Sequence, residues 1–283
     1  MADILDLIVK HKRQELAAAL AQAPRSQVRR QAHDSPPPRD FFSAVTRPPG
    51  SLRVIAEVKR ASPSAGVIRA DFDPVAIARA YQDAGAAAIS CLTDERFFQG
   101  SLAYIAAIKQ AVPLPVLRKD FLIDEYQVYQ ARAAGADAVL LIAECLEEAQ
   151  LADMLALAGE LHMTALVEVH DVESLLRVQP LLAPMPGSGA SRGSRESVGA
   201  GRLLGINNRD LRTMQTDLGH TLRMAEMVED RSIVVSESGI RTPADIARLH
   251  AAGVDRILVG EHLMRQSDVG AALRTLMQPQ ARG

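Results

Sequence analysis

The 283-residue sequence has only two cysteines and a formal net charge of only −2, and each shortage excludes a class of protein. Cys91 and Cys145 lie inside separate apolar segments, without C-x-x-C spacing or a neighbouring histidine cluster. We therefore expect free thiols in a reducing compartment and no metal site. Lys and Arg are spread along the chain, so we expect no nucleic-acid partner and no anionic-membrane partner.

Long apolar runs and nucleotide-binding motifs are also missing. No run approaches the roughly 20 apolar residues that a membrane-spanning helix needs. The first residues, Met1 to Asp6, carry acids where a signal peptide carries bases, so we expect a cytoplasmic protein. No Walker loop is present and no G-x-G-x-x-G follows the first strand, which disfavours a nucleotide. We expect a monomer without a cofactor that binds a small molecule.

What the sequence does have is ample material for a core, with 48% hydrophobic residues against 23% charged ones. From Leu52 onward, short β-branched or aliphatic runs alternate with longer amphipathic stretches, which is typical of a parallel sheet covered by helices. The pattern predicts eight strands, at Arg53–Val58, Ala87–Thr93, Pro115–Lys119, Ala138–Ala143, Thr164–Val169, Leu203–Asn207, Ile233–Ser238 and Arg256–Gly260. Eight alternations favour an α/β fold of the (β/α)8 TIM-barrel type, which routinely takes about 250 residues.

Two segments fall outside this alternation, although we expect residues 1–283 to form a single domain. Residues 1–50 are predicted to be an N-terminal helical extension that packs on the barrel. Its first helix runs from residue 3 to about 22, with Asp3 as the N-cap. Residues 184–201 are rich in Gly and Ser and lack apolar periodicity, which predicts a flexible insertion. The insertion precedes a strand, so it belongs to the barrel face opposite the catalytic rim.

Ionisable and amide side chains stand where the predicted strands end. In a parallel barrel these ends converge on one rim, even from distant parts of the sequence. The residues concerned are Glu57, Lys59, Lys119, Glu168, Asn207, Arg209 and Glu237. Any one of them could be a solvated strand cap or a salt-bridge partner. Together they are too costly a concentration of desolvated charge to be structural, so the set predicts a functional site.

Glycines at the ends of the last two strands predict a phosphate site. Ser238, Gly239 and Ile240 follow the seventh strand, while Gly260 and Glu261 follow the eighth. Barrels often bind phosphate with these two loops, where backbone N–H groups and a helix N-terminus approach the anion. Either glycine alone could simply make a turn, but the pair occupies both of the expected places.

Six segments around the predicted strand ends are spread over nearly the whole chain and resemble one enzyme family. They are IAEVKRASPS at 55–64, LTDERFFQGS at 92–101, LRKDF at 117–121, LVEVH at 166–170, GINNRDL at 205–211 and SESGI at 236–240. In these segments the chain resembles indole-3-glycerol-phosphate synthase. It departs from the family at Ala65, where many members carry Lys, and in the Gly/Ser insertion.

The resemblance implies a reaction of tryptophan biosynthesis. In that reaction, 1-(2-carboxyphenylamino)-1-deoxyribulose 5-phosphate undergoes ring closure, decarboxylation and dehydration to indole-3-glycerol phosphate. The resemblance also implies that Lys119 is the acid and Glu168 the base. Lys59 is expected to contact the carboxylate and to assist dehydration. Glu57 is expected to orient the lysines and the substrate hydroxyls.

The resemblance further implies how the substrate is held. Asn207 and Arg209 are expected to hold the anthranilate portion, because the planar donor fork of Arg suits a carboxylate. The phosphate is expected at Ser62, Ser238, Gly239, Gly260 and the N–H of Glu261. Apolar side chains are expected to wall the ring and complete the binding set, namely Phe98, Phe121, Leu140, Leu211, Ile240 and Leu258.

Two other functions stay open at this point. One is a different phosphate-binding barrel enzyme, such as phosphoribosylanthranilate isomerase or a sugar-phosphate epimerase. The EVKRASPS strand and the pair of Lys119 with Glu168 disfavour that reading. The other is a barrel without catalysis that binds a ligand or serves in an assembly, which is disfavoured because Lys59, Lys119 and Glu168 are all present.

Overall fold

A computed structural model of the chain describes residues 4–182, 201–210 and 215–278. Its barrel strands are β1 Arg53–Val58, β2 Ala88–Leu92, β3 Val116–Lys119, β4 Ala138–Ile142, β5 Thr164–Val169, β6 Arg202–Asn207, β7 Val234–Glu237 and β8 Arg256–Val259. Each pairs in parallel with its neighbours in the sequence, and β8 pairs with β1 to close the barrel. The predicted TIM barrel is confirmed, and each predicted strand differs from the observed one by at most one residue at either end.

Helices precede the barrel and cover its outside. They are α1 Ile4–Gln22, α2 Arg25–Asp34, α3 Phe41–Thr46, α4 Pro74–Asp83, α5 Glu95–Phe98, α6 Ala103–Ala111, α7 Glu125–Ala133, α8 Glu148–Glu160, α9 Val172–Leu182, α10 Gly219–Ala225, α11 Pro243–Ala251, α12 Glu261–Met264 and α13 Val269–Leu276. The start of α4 shows the local cause: Asp73 accepts hydrogen bonds from two backbone N–H groups, and Pro74 occupies the first turn. Ile77 and Tyr81, four residues apart, then share the buried face.

Alternation along the strands builds two apolar cores. Ile55, Leu117 and Leu166 belong to the inner core of the barrel. Their sequence neighbours, such as Val54 and Val167, belong to the core between the strands and the helices. Because side chains alternate with a period of two, the inward positions continue at the C-terminal strand ends as Glu57, Lys119, Glu168, Asn207 and Glu237. The apolar interior therefore leads directly into a polar end.

The N-terminal extension contacts both ends of the barrel. Helix α1 confirms the predicted helix, although Asp3 lies outside the described residues, and its Ile8 and Lys12 are buried. Helix α3 closes the opposite end, because Phe41 and Val45 are fully buried within the inner core.

Two predicted features fall where the structure gives no description. Residues 184–200 of the Gly/Ser-rich insertion and Leu211 lie outside the described residues. Within the described part of the chain, no helix has both the length and the apolar content needed to cross a membrane.

Candidate active site

One cavity at the C-terminal rim contains every predicted site residue except the undescribed Leu211. Its lining includes Glu57, Lys59, Ser62, Phe98, Lys119, Phe121, Leu140, Glu168, Asn207, Arg209, Ser238, Gly239, Ile240, Leu258, Gly260 and Glu261. These residues come from the C-terminal ends of all eight barrel strands and from the segments that follow them. The C-terminal rim is where TIM-barrel enzymes carry their chemistry.

A lysine and two glutamates meet at the centre of this cavity. Lys119 Nζ lies 2.7 Å from Glu168 Oε2 and 3.5 Å from Glu237 Oε2. Burial alone would lower the pKa of Lys119, but the surrounding carboxylates of Glu168, Glu237 and Glu57 raise it above its ordinary value. Burial would likewise raise the pKa of Glu168, but Lys119 and His170 hold it well below its ordinary value. The central pair is therefore an ammonium and a carboxylate.

Glu237 belongs to the strand-end residues that predict the site, but neither the motifs nor the family resemblance gave it a chemical role. It is buried, and burial together with the neighbouring charge of Glu168 raises its pKa to about 8. At neutral pH, Glu237 therefore holds a proton while Glu168 beside it does not. The available signal was positional, because Glu237 is an inward residue at the end of β7, just as Glu168 is an inward residue one position before the end of β5.

Two glycines make room for the carboxyl groups. A Cβ placed on Gly205 would lie 2.2 Å from Glu237 Oε1, and one on Gly260 would lie 2.1 Å from Glu57 Oε1. Both distances are far below van der Waals contact. The absence of a side chain at these two positions therefore allows the carboxyl groups to occupy the inner face of the barrel.

Hydrogen bonds fix the orientation of the side chains around this centre. Asn207 Nδ2 donates to Glu168 Oε1 over 3.0 Å, and Asn207 Oδ1 accepts from the backbone N–H of Arg209 over 3.0 Å. On β1, Lys59 Nζ lies 2.5 Å from Glu57 Oε1. The cavity thus has a second lysine and carboxylate pair.

Arg209 lies at the end of the cavity formed by the glycine loops. Its guanidinium donates to Ser64 Oγ over 2.9 Å and to Glu261 Oε2 over 2.8 Å. The nearby turn is left-handed at Ser238, with φ 67°, and at Gly239, with φ 77°. Sequence reasoning assigned Arg209 to the anthranilate portion, whereas its contacts are with residues of the loops assigned to phosphate.

Apolar side chains form another wall. The rings of Phe98 and Phe121 lie 6.0 Å apart between centroids and are inclined by 35°. Helix α1 contributes Ile4, Leu5 and Ile8 to the same lining, a contribution that sequence reasoning missed. Such a wall suits the face of an aromatic ring.

A buried cluster of charges attaches α1 to this wall. Lys12 Nζ lies 2.8 Å from Asp94 Oδ2 and 2.8 Å from Asp120 Oδ1. Asp94 caps α5, the helix that carries Phe98, and Asp120 lies between Lys119 and Phe121 in the sequence.

Among the residues with described positions, no group of three or more His, Cys, Asp or Glu side chains could hold a metal ion.

Comparison with known proteins gives matches over almost the full length of the chain. The family model described as indole-3-glycerol phosphate synthase matches residues 5–188 and 196–276. A protein of that name from Rhodopirellula baltica is 50% identical over 274 residues, covering 97% of this chain and 98% of the relative. Another of that name, from Azoarcus sp., is 49% identical over 282 residues, covering 98% of this chain and 99% of the relative.

Solved structures are similar in fold. A crystal structure of 3-hexulose-6-phosphate synthase has a TM-score of 0.60 at 17% identity and covers 80% of this chain and 98% of its own. A second, of the 3-hexulose-6-phosphate synthase from Salmonella typhimurium, has a TM-score of 0.59 at 16% identity, with coverages of 80% and 97%. At such low identity the likeness concerns the barrel alone.

Proposed function

Because the chain belongs to the indole-3-glycerol phosphate synthase family, we propose that the rim cavity is the site where it closes the indole ring. The chain is a carboxy-lyase of tryptophan biosynthesis. The observation that carries the placement is the 2.7 Å contact between Lys119 and Glu168 inside a cavity with an aromatic wall at one side and glycine loops at another. The family match also favours this reaction over the isomerase and epimerase alternatives.

Ring closure needs a positive group at the ketone. The ring carbon that bears the carboxylate attacks the ketone carbon, and the ketone oxygen gains negative charge as the new bond forms. The ammonium of Lys119, kept charged by the carboxylates around it, stabilises that oxygen and transfers a proton to it. Loss of carbon dioxide then returns the electron pair of the broken bond to the ring.

Dehydration needs a second proton for the same oxygen. The hydroxyl formed in the first step leaves as water, and a proton leaves the methylene carbon beside the nitrogen as the indole becomes aromatic. The enzyme therefore supplies two protons and recovers one. Lys119 and the protonated Glu237 account for the two, since Glu237 lies 3.5 Å from Lys119 and can reprotonate it. The ionised Glu168 accepts the methylene proton.

Binding of the phosphate holds the flexible sugar in a reactive shape. We assign the phosphate to Ser62 and to the loops at Ser238, Gly239, Gly260 and Glu261, all of which line the cavity. The anthranilate ring then lies against Phe98, Phe121 and Leu140, with Ile240 and Leu258 completing the apolar lining. Energy from phosphate binding offsets the cost of bringing ring carbon and ketone together.

Polar side chains are available for the anthranilate end of the substrate. We assign the anthranilate carboxylate to Lys59, which Glu57 orients, and to Asn207. Arg209 keeps its assignment to the anthranilate portion, and its contacts with Ser64 and Glu261 hold the guanidinium in place. Leu211, outside the described residues, stays a prediction from the family resemblance.

We further propose that the enzyme works as a monomer in the cytoplasm. Cys91 and Cys145 are free, which is consistent with a reducing compartment. Sedimentation of the purified protein tests the oligomeric state, and fractionation of its source cells tests the location.

Fluorescence tests the proposed reaction directly. The chain contains no tryptophan, so indole emission in a reaction mixture comes from the product alone. We expect purified protein given the anilino sugar phosphate to form one fluorescent indole product for each molecule of carbon dioxide that it releases. Phosphoribosyl anthranilate is the matched negative substrate. Absence of indole emission, or turnover of the negative substrate instead, would contradict the proposal.

A further inference from the structure

A histidine outside the predicted site is held between two carboxylates. Glu144 lies in the 3₁₀ turn Ala143–Cys145 after β4, and His170 directly follows β5. Glu144 Oε1 accepts from the backbone N–H of His170 over 2.8 Å, and Glu144 Oε2 lies 3.1 Å from His170 Nδ1. Both the backbone and the imidazole of His170 are thus fixed by one side chain.

The second ring nitrogen of this imidazole lies near the proposed base, Glu168. His170 Nε2 lies 3.3 Å from Glu168 Oε1. This contact is an ion pair rather than an aligned hydrogen bond, because Nε2 has no hydrogen-bond partner among the described residues. Glu168 is therefore approached by His170, by Asn207 and by Lys119, the last on its other oxygen.

His170 carries a proton in this position. Burial lowers its pKa, but the contacts with Glu144 and Glu168 outweigh burial and raise it to about 10. Another titratable neighbour is His220 in α10, whose own pKa is lowered by burial and by Arg223. At neutral pH, an imidazolium therefore stands between the two carboxylates.

The imidazolium affects the two central glutamates unequally. Glu168 has two cationic neighbours, Lys119 at 2.7 Å and His170 at 3.3 Å. Within the described part of the chain, Glu237 has only Lys119, and that at 3.5 Å. Both carboxyl groups lie beside Lys119 Nζ in one buried site, and of two such neighbouring groups the one with fewer cations around it holds a proton more readily.

We propose that Glu144 and His170 are positioning residues, which orient Glu168 and assign the shared proton to Glu237. The inference rests on the proposed function, because it explains why Glu168 is free to accept the methylene proton while Glu237 can supply one. When the imidazolium is removed, part of the enzyme carries the shared proton on Glu168, and that part cannot complete the reaction. The effect falls on kcat rather than on substrate binding, because neither residue lines the cavity.

A double-mutant cycle tests this role. We expect His170→Gln to lower kcat about tenfold at pH 7, with KM changed less than about threefold. In a Glu237→Gln background no second carboxyl competes for the proton, so His170→Gln should lower kcat by less than about twofold. An equal loss in both backgrounds would mean that His170 has only a structural role. His250→Gln is the matched control, since His250 also pairs with a carboxylate, Asp255, and lies outside the cavity.

Nitrogen NMR of the histidines gives a reading that does not depend on catalysis. The signals that disappear in His170→Gln identify this imidazole, which should stay doubly protonated at pH 8 in the unmodified protein. Glu144→Gln should lower the pKa of His170 by about one unit or more, because the amide keeps the backbone hydrogen bond but not the charge. A neutral His170 at pH 7 in the unmodified protein would overturn the inference. Failure of the unmodified enzyme to form indole would instead contradict the proposed function. The NMR result would still show whether His170 is protonated, because it does not depend on catalysis.

Discussion

Lys12 in the first helix and Asp120, which directly follows the third barrel strand, are joined by a 2.8 Å ion pair. Lys12 is only 2% exposed. Burial lowers its pKa, but the carboxylates of Asp120 and Asp94 together raise it by more, so Lys12 stays charged. The N-terminal helix is therefore attached by a buried charge to the residue next to Lys119. Because α1 also lines the cavity, this attachment links the extension to the proposed substrate site.

Replacement of Lys12 by Met should destabilise the fold and weaken binding. The change leaves the buried carboxylates of Asp94 and Asp120 without their shared cation, which costs about 3 kcal/mol of unfolding free energy. Looser attachment of α1 should also raise KM. Urea unfolding and steady-state kinetics measure the two effects. Lys10→Met, an exposed change on the same helix, is the control and should alter neither.

Replacement of Lys119 by Ala should abolish most of the turnover while substrate binding is largely kept. Without the ammonium, the ketone oxygen has no proton donor beside it, and kcat should fall about 10²- to 10⁴-fold. Indole fluorescence measures kcat, and calorimetric titration with a slowly reacting substrate analogue measures binding. Lys10→Ala serves as the control. Near-normal turnover in Lys119→Ala would refute the assigned role.

Replacement of Gly205 by Ala should impair catalysis by displacing a carboxyl group. The added methyl group would lie 2.2 Å from Glu237 Oε1, so Glu237 must move away from Lys119. A displacement of about 1 Å at a catalytic group can cost about 10²-fold in rate. Gly159→Ala is the contrasting change, because nothing lies within 4 Å of the new Cβ on α8. It should leave kcat unchanged and raise helix stability by up to about 1 kcal/mol.

Replacement of Glu237 by Gln should change the free energy of unfolding by an amount that depends on pH. The pKa of Glu237 is raised from 4.5 to about 8, so between these values the folded protein holds a proton that the unfolded chain has lost. Its contribution to stability therefore falls as pH rises through this window. The depressed pKa of Glu168 acts below the window, where stability falls as pH drops.

The neutral amide of Glu237→Gln lacks this penalty. Its unfolding free energy relative to the unmodified protein should increase between pH 6 and pH 8.5, by on the order of 2 kcal/mol. The rate should fall at both values, because the amide supplies no proton. Urea unfolding at the two pH values checks the prediction, with the exposed Glu229→Gln as control. A constant difference across the two values would show that Glu237 is ionised throughout.

Sequence alone could predict the barrel because its signals are local. The run Thr164–Val169 is β-branched and aliphatic, and its alternation also places Glu168 inward. Parallel strands then bring Lys119 and Glu168 to one rim without knowledge of side-chain geometry. For this reason the cavity gathers the described residues named from the sequence.

Contacts between distant side chains were beyond that reasoning. Nothing in the periodicity of α1 indicates that Ile4 and Ile8 reach the cavity, since this depends on how the helix crosses the rim. The proton on Glu237 depends on burial and on an adjacent carboxylate, and neither is visible in the segment SESGI. The contact of Glu144 with His170 joins two loops that the sequence separates by 26 residues.

The closed lower end of the barrel determines how the reaction components travel. Phe41 and Val45 of α3, both 0% exposed, fill the interior below the apolar layer and block passage through the axis. If the reaction takes place beside Lys119 and Glu168 as proposed, the described residues leave the rim opening as the path for the substrate and for the released carbon dioxide and water. The N-terminal helix borders this opening, so its position affects what can enter and leave the cavity.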